Sequence, residues 1–311
     1  MTGSIPFSRV PNDTLGAPPF DARQAIMHAM LIAGDQAVQQ RFCDATLNVF
    51  PAARYVFKVA SANVLVTSIY VARMGSLDPL AAAKGTVFEA DIGFWTLVRC
   101  IPASAGANER LAWLPSLMFV DSGSAASAGR EIYGYPKCAS LIRRSESADR
   151  ADPTVAIETL SFATSGQDSQ AGIWPVVEIA APPAVLDSAG ALSEAATLSA
   201  LFNEALGIGS ALMPSSLAPL PGAGVPQVSL RQFRDATRAG SASLKEVLLT
   251  TPSPGAVRAG GTLDAGTIVT VHPSASHDLA ALTGIGQRNP ILAGGWLDFD
   301  FSVGWAERLV P

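Results

Sequence analysis

Charged residues are scarce in this sequence. Among its 311 residues there are 21 Lys and Arg and 26 Asp and Glu, so charged side chains make up 15% of the chain. Soluble domains carry roughly 25% on average, and so low a share indicates that the subunits of a homo-oligomer bury part of the surface. The net charge of -5 argues against a nucleic-acid partner, because phosphate binding needs clustered basic side chains.

Cysteine and histidine are also rare, with three residues of each. The cysteines are Cys43, Cys100 and Cys138, and the histidines are His28, His272 and His277. The cysteines are widely spaced and form no CxxC pair, which indicates a reducing compartment and predicts neither a disulfide framework nor a zinc site. His272 and His277 have the wrong interval for one helix face, and no carboxylate-rich cluster joins them. We therefore expect no metal site.

Targeting segments and nucleotide-binding motifs are missing as well. Residues 1–20 have neither the basic n-region nor the apolar h-region of a signal peptide. No stretch approaches the roughly 18 uninterrupted apolar residues of a membrane-spanning helix. We therefore expect a cytoplasmic protein that has no membrane partner. GxGxxG and GxxxxGKS/T loops are absent, so we expect no dinucleotide, phosphate-loop or other cofactor.

The sequence has many segments in which apolar and polar residues alternate, or in which β-branched and aromatic residues are frequent. They are ARYVFKVASANVLVTSIYVA, TVFEADIGFWTLVRCI, WLPSLMFVD, TVAIETLSF, WPVVEIA, PQVSLRQF, LKEVLLT and TIVTVH. Such segments, separated by Gly, Pro, Ser and Asn, predict strands of about five to nine residues.

Helical patterns are few. One begins after Asp35, a plausible N-cap; one spans 122–133 and is ended by Gly134; and one spans 193–206. Successive strands without regular βαβ alternation favour an α+β fold, with a largely antiparallel, curved or closed (barrel-like) sheet and a few flanking helices. We predict an irregular arm at 1–20 and a single domain at 21–311.

The segment GREIYGYPKCAS, residues 129–140, fixes a lysine directly after a proline. A lysine attacks a ketone only when its amine is neutral, and burial among apolar groups lowers the amine pKa. Tyr133, Tyr135 and Leu141 could supply a partly dry wall around Lys137. The alternative interpretation is an ordinary surface lysine in a turn.

The longer segment LPSLMFVDSGSAASAGREIYGYPKCAS, residues 114–140, resembles the central motif of the acetoacetate decarboxylase family. There an apolar strand ending in Asp leads through a small-residue helix to G-R-E and then to an aromatic-Pro-Lys. A looser similarity extends from about residue 20 to the end. The resemblance implies the family's fold and identifies Lys137 as the imine-forming lysine.

The residue directly after the lysine departs from the family's motif. The family normally has a second lysine at the position of Cys138, and a neighbouring ammonium is one proposed cause of a lowered amine pKa. We interpret Cys138 as a small buried apolar residue rather than a redox group or a nucleophile. Tyr135 and Cys138, which flank the lysine in sequence, are candidate substrate contacts.

The resemblance also implies acidic and basic site residues. An ungapped count places Asp91 at the family's acidic position, with Glu89 on the same strand face. Two adjacent carboxylates would raise one pKa and suit proton transfer, whereas the alternative is an exposed strand face. Arg23 is the nearest candidate for binding the substrate carboxylate, or else a surface arginine. Arg130 and Glu131 match G-R-E, and we expect a helix-end ion pair and caps there.

Three functions remain open. The first is decarboxylation of a β-keto acid through an imine on Lys137. The second is a different imine-dependent reaction of a keto acid, namely aldol addition, retro-aldol cleavage or dehydration, which the missing second lysine favours. The third is a binding protein that keeps the pocket without turnover, since a fold alone does not fix chemistry. In each case the expected partner is a small-molecule keto acid.

Overall fold

The computed structural model describes residues 16–50, 54–104, 108–145, 150–181 and 226–310. The strands of this part of the chain are β1 Phe20–Ile32, β2 Tyr55–Ser76, β3 Thr86–Pro102, β4 Arg110–Val120, β5 Lys137–Arg144, β6 Val155–Ser161, β7 Gly172–Ala180, β8 Gln227–Arg234, β9 Ala242–Thr250, β10 Pro252–Thr262, β11 Ile268–Val271, β12 Arg288–Val303 and β13 Glu307–Val310. The helices are α1 Gln36–Thr46, α2 Pro79–Ala82, α3 Gly123–Ala128, a π-helical turn Gly129–Tyr133 and α4 Leu279–Thr283.

The strands form one curved sheet that closes on itself. Hydrogen-bonded neighbours follow the order β4-β3-β2-β1-β12-β11-β7-β6-β5, and β5 then pairs in parallel with β4. β8, β9 and β13 extend the sheet beyond β4, and β10 pairs with β12. Among the described strands, only the β4–β5 and β4–β8 pairs are parallel. The predicted α+β fold with a largely antiparallel, closed sheet is confirmed.

The predicted strand lengths were wrong for the longest strands. β2 has 22 residues and β3 has 17, far beyond the expected five to nine. Irregularities in the β2–β3 pairing, between Val59 and Val64 and between Val71 and Met74, bend the pair without ending it. β10 was missed, because its Pro and Gly residues are typical of loops.

Apolar side chains cover both faces of the central strands. On β1, Ala29 and Leu31 belong to one buried cluster, whereas Met30 and Ile32 belong to another. Because neighbouring residues of a strand point to opposite faces, both sides of the sheet are packed. This explains the nearly continuous apolar character of these strands.

Both helices that the sequence predicts within the described residues are present, whereas α2 and α4 were not predicted. Asp35 caps α1, since its Oδ1 accepts hydrogen bonds from the backbone N–H groups of Ala37 at 2.8 Å and Val38 at 2.9 Å. Gly134 ends the π-helical turn with φ of 72°, as its predicted role requires. The helix predicted at 193–206 and most of the arm at 1–20 lie outside the described residues. Within the described ranges, no helix has the length and apolar character needed to cross a membrane.

Candidate active site

A cavity of about 240 Å³ lies against one face of the sheet. Most of its wall is apolar and comes from Phe20, Met27, Ile69, Val71, Met74, Val87, Trp95, Met118, Phe301 and Val303. The ionisable side chains that line it are Lys84, Glu89, Asp91, Tyr133, Tyr135 and Lys137. Three of these residues, Glu89, Asp91 and Lys137, are in mutual contact.

Lys137 is the first residue of β5 rather than part of a turn. β5 joins β4 in parallel, and Lys137 pairs with Met118 in register. The backbone N–H of Met118 donates to the carbonyl of Pro136 at 3.1 Å, so the proline both precedes and anchors the strand. The lysine side chain is 9% exposed. The interpretation as a surface lysine in a turn is therefore wrong.

Glu89 and Asp91 both face this lysine from β3. The Nζ atom of Lys137 lies 2.6 Å from Oε1 of Glu89 and 2.9 Å from Oδ2 of Asp91. The two carboxylates share a strand face because they are two residues apart. Both are buried, so the alternative of an exposed strand face does not hold.

The protonation of this cluster differs from the sequence-based expectation. Burial acts to lower the pKa of Lys137, but the charges of Asp91 and Glu89 and their hydrogen bonds outweigh it and raise that pKa above its ordinary value. The expected lowering of the pKa by burial alone was wrong, because two anions adjoin the amine. Burial raises the pKa of Asp91 to about 6, with the charge of Glu89 adding to the rise and Lys137 opposing it.

The G-R-E segment makes space for the lysine. A Cβ atom at position 129 would lie 2.6 Å from Cδ of Lys137, so only glycine leaves this path open. Tyr133 and Tyr135 stack with ring centroids 5.4 Å apart and supply a buried wall, as predicted. The Tyr135 hydroxyl donates to Oε1 of Gln227 at 2.5 Å. Leu141 is 51% exposed and forms no part of that wall.

Cys138 lies on the opposite face of β5 and is not among the residues that line the cavity. Its Sγ is 3.3 Å from Oγ1 of Thr159 and 3.3 Å from Nε2 of His277. The hydrogen bond with His277 is the main cause of a lowered Cys138 thiol pKa. The residue is half-buried: it packs against an apolar core cluster, as we expected of a small apolar residue, but its thiol also has two polar partners.

The predicted arginine and G-R-E side chains do not reach the cavity. Arg23 is 54% exposed and pairs with Asp21 at 2.6 Å and Asp300 at 3.4 Å. The side chain of Arg130 is exposed. Within the described ranges, neither it nor Glu131 forms the helix-end ion pair that we expected.

The π-helical turn is held by a distant arginine instead. The guanidinium of Arg231 donates to the backbone carbonyl oxygens of Glu131 at 3.3 Å and Ile132 at 3.2 Å, and it also pairs with the buried Glu246. Arg231 therefore holds the turn through the backbone of Glu131 and Ile132. Sequence reasoning left Arg231 unassigned, because no local pattern marks it as a contact of this turn.

Lys84 and Gln227 also line the cavity and were missed. Lys84 stands in the turn before β3, where the only sequence signal is its position just ahead of the strand that carries the carboxylates. Gln227 begins β8, more than 80 residues away along the chain from the lysine that it helps to enclose. In the part of the chain that the structure describes, no group of three or more His, Cys, Asp or Glu residues could hold a metal ion.

Solved structures with the same architecture are enzymes. Acetoacetate decarboxylase from Legionella pneumophila superposes with a TM-score of 0.63 at 14% identity, over 98% of this chain and 92% of its own. An acetoacetate decarboxylase-like enzyme from Sphingomonas wittichii RW1 gives 0.60 at 15% identity, over 97% of both chains. The enduracididine biosynthesis enzyme MppR complexed with pyruvate gives 0.55 at 14% identity, over 96% and 93%.

Sequence comparison adds nothing to these structural similarities. No protein-family model matches the chain, and no curated protein matches it. Identities of 14–15% are too low to transfer an activity, although the superpositions cover nearly the whole chain. The chain has the fold of the acetoacetate decarboxylase-like enzymes.

Proposed function

We propose that this chain is an enzyme that forms an imine between Lys137 and the carbonyl carbon of a keto compound, after which a bond next to that carbon breaks. The observation that carries this proposal is the buried contact of one amine with two carboxylates, at 2.6 Å and 2.9 Å, on the wall of an apolar cavity. Burying three ionisable groups costs stability, so such a cluster in a cleft supports a chemical role.

The amine must lose its proton before it can attack a carbonyl carbon. Without substrate, Glu89 and Asp91 favour the ammonium form. A substrate that fills the apolar cavity expels water. In the dry cavity, a charged ammonium–carboxylate pair has a higher free energy than a neutral amine–acid pair, so the proton moves from the amine to a carboxylate. Asp91 is the acceptor for this proton, because its pKa is raised to about 6 by burial and by the charge of Glu89.

The first candidate reaction is decarboxylation of a β-keto acid. The neutral amine adds to the carbonyl carbon and gives up one of its protons to the carbonyl oxygen. Asp91 supplies the second proton, and the oxygen leaves as water, so that an iminium remains on Lys137. The bond to the carboxylate carbon then breaks: its electron pair forms an enamine, and CO₂ leaves. A solvent proton relayed through Asp91 converts the enamine to the iminium, and water releases the ketone and the lysine.

Glu89 has a separate role in this scheme. Its carboxylate faces the end of the cavity where the substrate carboxylate would lie, and like charges in a dry site repel strongly. Because CO₂ is neutral, this repulsion weakens as the bond breaks, so the transition state is favoured over the bound acid.

Aldol chemistry is the second candidate, and two observations favour it. No arginine lines the cavity in the part of the chain that the structure describes. MppR, which has this fold, was also captured with the condensation product of pyruvate and imidazole 4-carboxaldehyde. Here the iminium on Lys137 loses a proton from the neighbouring carbon and becomes an enamine, which attacks an aldehyde and forms a carbon–carbon bond.

Borohydride trapping tests the proposal. The protein is incubated with acetoacetate or pyruvate, reduced, digested and searched by mass for an adduct on Lys137. Lys137→Met should not be labelled, whereas the matched variant Lys58→Met, which changes an exposed lysine of β2, should label normally. An acetoacetate adduct with CO₂ release supports decarboxylation, and a pyruvate adduct without CO₂ supports aldol chemistry. No adduct with any ketone overturns the proposal and leaves a binding protein.

A further inference from the structure

The inner end of the cavity carries an excess of negative charge. Glu89 and Asp91 together face the single positive charge of Lys137. An anionic substrate therefore gains no net attraction there when both carboxylates are ionised. Among the residues that line the cavity in the described part of the chain, Lys84 is the one other cation.

Lys84 stands at the outer end of the same cavity. It lies in the turn between α2 and β3, just before β3 begins at Thr86. Val87 and Glu89, at alternate positions of β3, also line the cavity, so this strand runs along the wall from Lys84 towards Lys137. At a rise of about 3.3 Å per residue, Glu89 lies about 10 Å from Thr86. The two lysines thus mark opposite ends of the wall.

We infer that Lys84 binds a carboxylate at the far end of the substrate, and that the substrate is a ketone whose carbonyl and this carboxylate are several bonds apart. The inference rests on the proposed function, since it assigns the carbonyl end to Lys137. A carboxylate that leaves as CO₂ is too near the carbonyl carbon to be this group. Lys84 is therefore a positioning and specificity residue that serves decarboxylation and aldol chemistry alike.

The position of Arg23 supports this assignment. Arg23 was the arginine expected to bind the carboxylate, but it is not part of the cavity wall. A lysine is suited to bind the distal carboxylate, because its flexible four-carbon side chain lets the ammonium reach carboxylates at different distances from the carbonyl group.

The test compares 5-oxohexanoate with 2-hexanone, which has the same carbon chain with a methyl group in place of the carboxylate. Borohydride trapping on Lys137 gives the half-saturating concentration of each probe. Lys84→Met should raise the half-saturating concentration of 5-oxohexanoate about fivefold, because a solvent-exposed ion pair contributes a free energy of this size. The half-saturating concentration of 2-hexanone should not change. Lys84→Arg and the control Lys58→Met should behave as the unaltered protein. Added salt should weaken the preference for the acid.

Calorimetric binding of the same two probes, without borohydride, separates the two claims. If Lys84→Met weakens 5-oxohexanoate binding but no probe labels Lys137, the imine proposal fails and the carboxylate site stands. If Lys137 is labelled but Lys84→Met changes neither probe, or weakens both equally, the carboxylate site is overturned and the imine proposal stands.

Discussion

Gly129 lies directly against the aliphatic stem of Lys137. A Cβ atom there would come within 2.6 Å of Cδ and 3.1 Å of Cε, distances that require the lysine to move. The glycine of the G-R-E motif thus clears the path along which the amine reaches Glu89 and Asp91. It links a sequence motif on a helical turn to the geometry of the amine on a neighbouring strand.

Gly129→Ala should reduce imine formation without unfolding the protein. The added methyl group displaces the lysine stem, so the amine loses alignment with the carboxylates, and misplacements of this size cost about 100-fold in rate. The measurement is the rate of borohydride trapping at saturating ketone. Unfolding followed by circular dichroism should show a modest loss of stability.

Gly123→Ala is the matched control for this substitution. It places the same methyl group at the start of the preceding helix α3, where a Cβ atom meets nothing within 4 Å. It should trap ketone at the unaltered rate and be slightly more stable, because alanine is favoured over glycine in helices. Equal losses in both variants would contradict the role assigned to Gly129.

The pattern of the G-R-E segment predicts local structure well but not the charges around it. Ser122, Gly134 and Pro136 act locally, so sequence spacing alone predicts the helical turn and its end. The opposed pKa contributions at Lys137 depend on β3 and β5 lying on either side of β4 in the closed sheet. Arg231 and Gln227 come from β8, a pairing that no local signal specifies.

Asp91→Asn should change the pH dependence of imine formation. With its pKa raised to about 6, Asp91 ionises as the pH rises through that value, and only the ionised form can accept the lysine proton. Trapping rates should therefore rise through about pH 6 in the unaltered protein. In Asp91→Asn this rise should be absent, and formation should need alkaline pH, where Lys137 deprotonates directly.

Glu89→Gln is the variant to compare with Asp91→Asn. That substitution also removes one negative charge beside Lys137 but keeps Asp91 as the acceptor. It should retain a rise of the trapping rate with pH, whatever its effect on the maximal rate. If the trapping rate of Asp91→Asn still rises near pH 6, Asp91 is not the proton acceptor.

Lys137→Met should make stability strongly dependent on pH. Methionine fills the space of the stem but leaves Glu89 and Asp91 buried without a cation, a change that costs about 3–5 kcal/mol at neutral pH. The folded-state pKa of Asp91 is already above its unfolded value of 3.8. Losing Lys137 removes an interaction that lowers it, so the folded protein binds more protons than the unfolded chain, and stability falls as pH rises.

Denaturant unfolding at about pH 8 and about pH 5 measures this effect, because the carboxyl of Asp91 regains its proton between these values. The free energy of unfolding of the variant should be furthest below that of the unaltered protein at the higher pH. At the lower pH the difference should become smaller. Lys58→Met should show no such change. A constant difference at both pH values would mean that the carboxylates are not left as buried charges.

Cys138→Lys tests whether a neighbouring ammonium tunes the reacting lysine. Side chains of adjacent strand residues point to opposite faces, and Cys138 contacts Thr159 and His277 rather than the cavity. A lysine there should therefore not raise acetoacetate decarboxylation. It should lower the melting temperature, because a charged side chain would replace a half-buried thiol between Thr159 and His277.

Cys138→Ser is the control, since it keeps a small polar group between Thr159 and His277 and should affect the melting temperature less. Trapping rates on Lys137 should be similar in both variants, because neither substitution reaches the carboxylates of β3. A large gain in decarboxylation by Cys138→Lys would mean that its ammonium acts across the strand on Lys137. In that case the missing second lysine, rather than the charges of Glu89 and Asp91, would set the reactivity of the amine.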